Sequence, residues 1–385
     1  MILSDTHYLA SSLTDPQRDY DAAKTVNDGR TLTYNIRLFD EALDRARTLR
    51  PEYLVLTGDL TFNGEKASHR ELAVKLEELA KDGIQPLVIP GNHDVYNIRA
   101  ADLSSLPYQS TSYVSADDFK NIYAACGYAK AQSVAPDSLS YIYETEAGEW
   151  LLMLDTTLSK YNLEDDYVYA SGYFDSIDWL EENLRYAASH GIRCISFSHH
   201  NLVNHNPLYT KLYDIGNHAQ LLNLFANYGV ACNFSGHLHI QDTQVEQGIY
   251  DVASASLLDY GNRYGFFETN KEIGKYESRP LDFSLDQNRT YSDYSYDLFY
   301  TRGYEKFYAG YPQVEIESDR EELAAFTAEV NCHYFNGEIK KYYRRLLKSR
   351  GYKIALQSID NFEDGYLNTM LKYGNHECQR LTLHY

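Results

Sequence analysis

Five short clusters of Asp, His and Asn, each set directly after an apolar, strand-like run, constrain this chain more than any other feature. In order they are Asp5-Thr6-His7, Gly58-Asp59, Gly91-Asn92-His93-Asp94, His199-His200 and Gly236-His237-Leu238-His239. Singly, each has an ordinary explanation: Gly-Asp is a common turn, and an Asp-x-His pair is usually a satisfied loop contact. Together they point elsewhere. Polar clusters at the ends of successive strands converge on one rim of a sheet, and in layered α/β sheets function gathers on the loops beyond the strand ends. Carboxylate, imidazole and amide groups meeting there form a ligand set for borderline divalent metals. The glycines let the backbone turn tightly and approach such a centre closely.

The apolar runs cover 53–56, 87–90, 150–154, 194–198, 231–234 and 249–253. Helical spacing appears between them, in Phe39, Leu43 and Ala46, in Leu72, Leu76 and Leu79, in Ile177, Leu180 and Leu184, and over 220–228, which Gly229 closes. Short strands alternating with helices predict an α/β layered sheet. Residues 100–148 read as a long excursion with few strong periods. The pattern weakens again over 265–315, which is rich in Tyr, Asp and Arg. The chain therefore divides into a catalytic domain over 1–270, a linker or wrapping segment over 271–317, and a small α-helical C-terminal domain over 318–385. The helices of that last domain are predicted over 321–330, 338–349 and 361–373.

Composition excludes some partners. The formal net charge is -20, whereas a nucleic-acid binder needs basic surface to neutralise phosphates. Polymeric nucleic acid is therefore not expected; a small phosphate ester drawn in by bound cations is. No run of 18 apolar residues exists to span a membrane. The five cysteines contain no CxxC pair, so neither a disulfide framework nor a thiolate zinc site is expected. Cys194 and Cys232 lie in apolar runs and are expected to be buried thiols. The 37 tyrosines read as an aromatic-rich surface with no single role. Only Met1, Ile2 and Leu3 supply apolar length before the first motif, and a buried strand usually has about five or six residues. Either the strand is short or the natural chain starts further upstream; the second is the expectation, with an export signal or lipid anchor removed, and a cytoplasmic protein is the alternative. Oligomeric state is left open.

On these motifs the sequence resembles the calcineurin-like metallophosphoesterase superfamily, whose five signature blocks occur in order over roughly residues 1–260. The resemblance implies a β-sandwich of two mixed sheets flanked by helices, carrying two divalent metal ions (Mn, Fe or Zn). By the same resemblance Asp5, His7 and His239 hold the first metal, and Asn92, His199 and His237 hold the second. Asp59 bridges both, since one carboxylate can hold two cations about 3.5–4 Å apart. A metal-bridging hydroxide is the implied nucleophile. His93 is the implied general acid, with Asp94 expected to hydrogen-bond it and fix its orientation. His200 either points to substrate or packs on the sheet. His205 and Asn63 are further expected substrate contacts.

Longer stretches resemble a narrower group. Asp5-Thr6-His7-Tyr8-Leu9, the run over 58–69 and the run over 235–241 look like the bacterial class III cyclic nucleotide phosphodiesterases, in particular a Gram-positive exported branch with a helical C-terminal domain. The leading expectation is a phosphodiesterase, on 3′,5′-cyclic nucleotides or a related diester. The alternatives are a phosphomonoesterase or protein phosphatase and, from another class, a non-catalytic metal-binding module on a cell surface. A degenerate module would have lost ligands, and none of the seven is missing.

Overall fold

In the run Trp150–Leu154, Leu151 and Met153 enter one hydrophobic core while Trp150, Leu152 and Leu154 enter another. Successive strand residues point to opposite faces, so a strand apolar on both faces must be covered on both. That requirement produces a layered molecule. A computed structural model describes residues 1–23, 30–164, 168–270 and 272–385.

The first sheet begins with β1 (Ile2–Leu3), β2 (Tyr53–Thr57) and β3 (Gln85–Ile89), parallel neighbours linked through α1 (Asn35–Leu49) and α2 (Lys66–Lys81). The excursion then forms a small ribbon, β4 (Ala101–Asp102) with β5 (Gln109–Ser110), and the capped helix α3 (Ala116–Ile122). The second sheet contains β6 (Ser133–Val134), β7 (Tyr141–Glu144), β8 (Trp150–Leu154), β9 (Cys194–Ser198), β10 (Cys232–Ser235), β11 (Asp242–Glu246) and β12 (Ile249–Ala253). Its order is β11-β12-β10-β9-β8-β7-β6, parallel from β12 to β8 and antiparallel at the edges. Helices α4 (Ile177–His190) and α5 (His218–Tyr228) cover its outer face through Leu180, Leu184, Leu221 and Phe225. Gly229 closes α5 with φ 75°, a conformation in which a Cβ would be strained.

Val55, Leu87 and Ile89, which share one face of the first sheet, belong to one core with Leu151, Met153, Phe197 and Phe234 of the second. The molecule is thus the expected sandwich of two mixed sheets, with α1 and α2 on the outer face of the first. Cys194 and Cys232 are free and buried, as expected, and the described residues contain no disulfide.

Three readings change. The segment over 271–317 is not a linker. It supplies β14 (Ile273–Pro280), paired with β13 (Arg263–Thr269), and α6 (Tyr291–Gly310). Burial alternates along β14, but its buried positions are Gly274, Tyr276 and Ser278, so the two-residue period carries little apolar signal in the sequence. The C-terminal region is also not separate. Helices α7 (Glu317–Phe335), α8 (Ile339–Leu346), α9 (Arg350–Ser358) and α10 (Tyr366–Tyr373) are followed by β15 (Arg380–His384), which returns to the first sheet beside β14. That sheet runs β15-β14-β13-β1-β2-β3. Finally, the tyrosines are not simply surface: Tyr8, Tyr123, Tyr141 and Tyr291 are fully buried.

The core of the C-terminal helices contains Leu238 and Ile240 together with Leu323, Phe326 and Met370. These two residues alternate with His237 and His239, so the fifth motif has one face on the helical core and the other on the polar rim. Among the described residues no helix is long and apolar enough to cross a membrane.

Candidate metal centre

The five motifs meet where β1, β2, β3, β9 and β10 end. Backbone bonds register the loops: Asp5 N–H donates to the Gly58 carbonyl at 3.1 Å, His7 N–H to the Asp59 carbonyl at 2.9 Å, and Gly236 N–H to the His199 carbonyl at 2.9 Å. Gly58 has φ +94°, and a Cβ there would lie 2.5 Å from His199 Nδ1. No larger residue fits between these two motifs.

Two clusters form. Asp5, His7, Asp59 and His239 offer ligand atoms within 4.8 Å of one another, and so do Asp59, His199 and His237. Asp59 belongs to both. Asn92 joins the second, its Oδ1 3.0 Å from His199 Nε2. All seven residues singled out by sequence are therefore brought together, on the sides the resemblance implies.

Tautomers are set from behind. His199 Nδ1 donates to the Thr57 carbonyl at 2.9 Å, which turns Nε2 inward. His237 Nε2 donates to the Leu212 carbonyl at 2.9 Å, which turns Nδ1 inward. His239 Nδ1 donates to Asp259 Oδ2 at 2.5 Å, leaving Nε2 3.2 Å from Asp5 Oδ1. Such backing partners orient metal-ligating imidazoles and fix which nitrogen is available.

The electrostatics are those of a site built for cations. Burial alone would raise Asp5 and Asp59, yet His239 holds Asp5 below the carboxylate range, and His199 and His93 hold Asp59 well below it. Burial alone would lower His199, but Asp59 and Asp5 hold it up at about 9. His239 is held well above its ordinary value, against burial, by Asp5 and Asp259. Burial and Arg30 push His7 well down. Protonated imidazoles here compensate two buried carboxylates. Divalent cations would take over that compensation, because ligand imidazoles must be neutral.

The backbone carries strain at the same place. Asp5, His7, Asp59, His237 and His239 all have positive φ, between 39° and 65°. Each such residue costs on the order of 1–3 kcal/mol and persists only where its surroundings impose it. Carboxylate, imidazole and amide donors converging in two clusters that share one carboxylate fit a dinuclear centre.

His93 stands beside the clusters. Its ring centre is 5.0 Å from that of His7, and its N–H donates to Asp59 Oδ1 at 2.9 Å. Its Nδ1 faces the Phe62 carbonyl at 3.1 Å and Asn63 Oδ1 at 2.9 Å. Nδ1 therefore carries the proton and Nε2 is the atom free to act.

The expectations for Asp94 and His205 are corrected, and the alternatives for His200 are decided. Asp94 does not orient His93. Its carboxylate accepts from the N–H groups of Leu60, Thr61 and Gly91 at 3.0, 2.9 and 2.8 Å and from the Thr61 hydroxyl at 3.0 Å. It clamps the Asp59 loop to the Asn92 loop, because in this tight turn its side chain faces away from that of His93. The orienting contact comes from Asn63, whose side-chain oxygen is thereby committed to His93. His200 is fully buried, with Nδ1 2.8 Å from Thr156 Oγ1 and Nε2 donating to the Ala170 carbonyl at 3.0 Å. Both nitrogens are taken, so it packs and does not bind substrate. His205 is also away from the cleft, held between Asp242 at 2.8 Å and Asp251 at 3.4 Å.

Other residues carry no motif. Asp259 follows the apolar run of β12, and that position was its only legible signal. Arg30 brings a guanidinium to 2.9 Å from His7 Nε2. Asn162 Nδ2 donates to the Asn92 carbonyl at 2.9 Å and to the Val95 carbonyl at 3.0 Å, propping the third motif from behind. Tyr213 packs its ring 5.2 Å from that of His237 and 5.2 Å from that of Tyr209, which in turn meets Tyr366 of α10.

The profile of the calcineurin-like phosphoesterases matches residues 1–241. The chain belongs to this family and is a metal-dependent phosphoester hydrolase of its dimetal type. No curated protein sequence matches it. Among solved structures it is similar to a dimetal phosphatase from Danio rerio, at 15% identity and a TM-score of 0.50, over 73% of this chain and 95% of that one. It is also similar to a purple acid phosphatase from yellow lupin seeds, at 12% identity and a TM-score of 0.44, over 73% of this chain and 51% of that one. At these identities the likeness concerns the fold.

Proposed function

We propose that this protein is a phosphodiesterase whose metal pair is held by Asp5, His7, Asp59, Asn92, His199, His237 and His239. The observation that carries the reading is the carboxylate of Asp59, which lies in both ligand clusters. Bound cations supply Lewis acidity toward the phosphoryl oxygens and a water of lowered pKa. The chain supplies the rest. Nδ1–H of His93 is held by Phe62 and Asn63, so the imidazolium form carries its transferable proton on Nε2, from which it passes to the departing ester oxygen and leaves a neutral ring. Asp94 keeps the two loops in register. Arg30 adds a fixed positive charge for a phosphoryl oxygen, and guanidinium matches that geometry.

The diester preference rests on the motif stretches around Asp5, over 58–69 and over 235–241, which resemble the class III cyclic nucleotide phosphodiesterases. The helical C-terminal region supports the same branch. A 3′,5′-cyclic nucleotide is the substrate class this suggests. The test is turnover of bis(p-nitrophenyl) phosphate and cyclic AMP by protein loaded in turn with Mn, Zn and Fe, beside p-nitrophenyl phosphate. Diester turnover that disappears with chelator and with Asp59→Asn is expected. Faster monoester turnover under every metal would move the protein to the phosphomonoesterases.

A further inference from the structure

A carboxylate, an imidazole and a thiol come together outside the metal centre. Asp242 opens β11, just past the fifth motif, while His376 and Cys378 lie in the turn between α10 and β15. Their ligand atoms all lie within 4.8 Å of one another. His376 Nε2 is 2.9 Å from Asp242 Oδ1, 2.9 Å from the Thr243 carbonyl oxygen and 3.6 Å from Cys378 Sγ. One ring nitrogen carries at most one proton, and four partners crowd it, Gln244 Nε2 at 3.4 Å being the fourth. Asp242 Oδ1 therefore meets both the imidazole and the thiol inside one small cluster.

The surroundings treat Asp242 as a ligand is treated. Its second oxygen, Oδ2, accepts from His205 Nδ1 at 2.8 Å and from Gln244 Nε2 at 3.0 Å. His205 is itself braced by Asp251 at 3.4 Å. One oxygen is thus fixed from behind, which turns the other toward His376 and Cys378. Outer contacts of this kind orient metal-binding carboxylates. From the other side, Gln241 Nε2 donates to the Cys378 carbonyl at 2.9 Å and holds the cysteine in place.

We propose that Asp242, His376 and Cys378 form a third metal site, separate from the catalytic pair, for a divalent cation of the zinc class. Nitrogen, oxygen and thiolate donors together select zinc over magnesium or calcium. On binding, the cation replaces the thiol proton, which leaves to solvent. The fourth position opens toward water on the side of the His376 ring, which is 34% exposed. The cation ties the segment leading into β15 to the strand that follows His237 and His239, and so fixes the C-terminal region against the fifth motif. The ligands are far apart in sequence and share no CxxC spacing, so only the fold unites them.

Cobalt replacement tests this in the full-length protein. A thiolate ligand gives cobalt(II) an intense sulfur-to-metal charge-transfer absorption in the near ultraviolet, and the proposed catalytic pair contains no cysteine. No other cysteine joins a candidate metal cluster among the described residues. The band is expected in the cobalt-loaded protein and is lost in Cys378→Ser and His376→Gln. Metal content in the zinc-loaded variants falls by one ion per chain, while phosphoester turnover changes less than twofold. An absent band in the cobalt-loaded wild-type protein overturns the proposal, as does equal metal content in wild type and variants. If one variant does not fold, the wild-type spectrum and the other variant decide. Failure of the catalytic reading would abolish turnover and leave the band intact, so the two outcomes are distinguishable.

Discussion

His239 donates from Nδ1 to Asp259 Oδ2 at 2.5 Å, and its Nε2 lies 3.2 Å from Asp5 Oδ1. The imidazole is a bridge between a buried carboxylate behind it and the centre in front. Asp259→Asn keeps the shape but removes the charge that fixes the tautomer. Weakening a backing carboxylate typically costs 10–100-fold in metal affinity. Metal titration of Asp259→Asn is expected to show a loss of about that size at one of two catalytic sites, with activity recovered at excess metal. Unchanged affinity would refute the role given to Asp259.

Arg30 places its Nη1 2.9 Å from His7 Nε2. A guanidinium beside a proposed ligand is placed to meet an anionic substrate at the centre. Charge-assisted hydrogen bonds to phosphate are worth about twice neutral ones. Arg30→Ala is therefore expected to raise KM for phosphoesters on the order of tenfold, equivalent to about 1.4 kcal/mol, with a smaller fall in kcat. Arg30→Lys keeps the charge without the planar fork and should lie between. Steady-state kinetics on one diester decides; an unchanged KM in Arg30→Ala removes the residue from substrate binding.

The metal centre was legible because its residues obey a positional rule. Asp5, Asp59, Asn92, His199 and His237 all follow apolar strands, and a strand buried on both faces reads as a short unbroken apolar run. The residues that orient them obey no such rule. Thr57 and Leu212 act through backbone carbonyls, which any residue provides. Asn162 and Arg30 lie in loops whose paths depend on packing. Asp94 illustrates the limit of adjacency: one step along a tight turn reverses the direction of a side chain, so a neighbour of His93 serves the backbone instead. The strands β2, β3, β8, β9, β10 and β12 were legible as apolar runs, whereas the outer strands β6, β7 and β11 were not. β14 was not, since its buried face is Gly274, Tyr276 and Ser278, and neither was β15, a strand of five residues separated from its partner by the five helices α6 to α10.

Leu238 is 6% exposed and packs in the core of the C-terminal helices, while its neighbours His237 and His239 face the metal centre. The helical region is therefore a support for two proposed ligands. Leu→Ala in a packed core costs about 2–5 kcal/mol. Leu238→Ala is expected to lose stability in that range and also to reduce catalytic metal affinity, because the motif can shift when its apolar side is undercut. Leu346→Ala, in the same core but far from the motif in sequence, should lose comparable stability with metal affinity unchanged. Denaturant unfolding and metal titration of both variants separate the two effects, and identical affinities would show that the motif does not depend on this support.

Glu65 is fully buried, with Oε2 accepting from the Asn63 N–H at 3.0 Å and Oε1 lacking a hydrogen bond. Burial pushes its carboxyl up to about 7, whereas an unfolded glutamate titrates near about 4.3. Between those values the folded protein binds more protons than the unfolded chain. Stability therefore falls as pH rises from about 4.3 to about 7 and stays lower above it, by an amount on the order of 3 kcal/mol. Glu65→Gln is neutral at every pH and lacks this loss. Its stability relative to wild type should thus increase between pH 5 and pH 8, even if the amide packs slightly less well at the acid end. Urea unfolding of both proteins at the two pH values, under saturating metal, measures the difference. Parallel pH dependences in the two proteins would mean that Glu65 is already ionised in the fold.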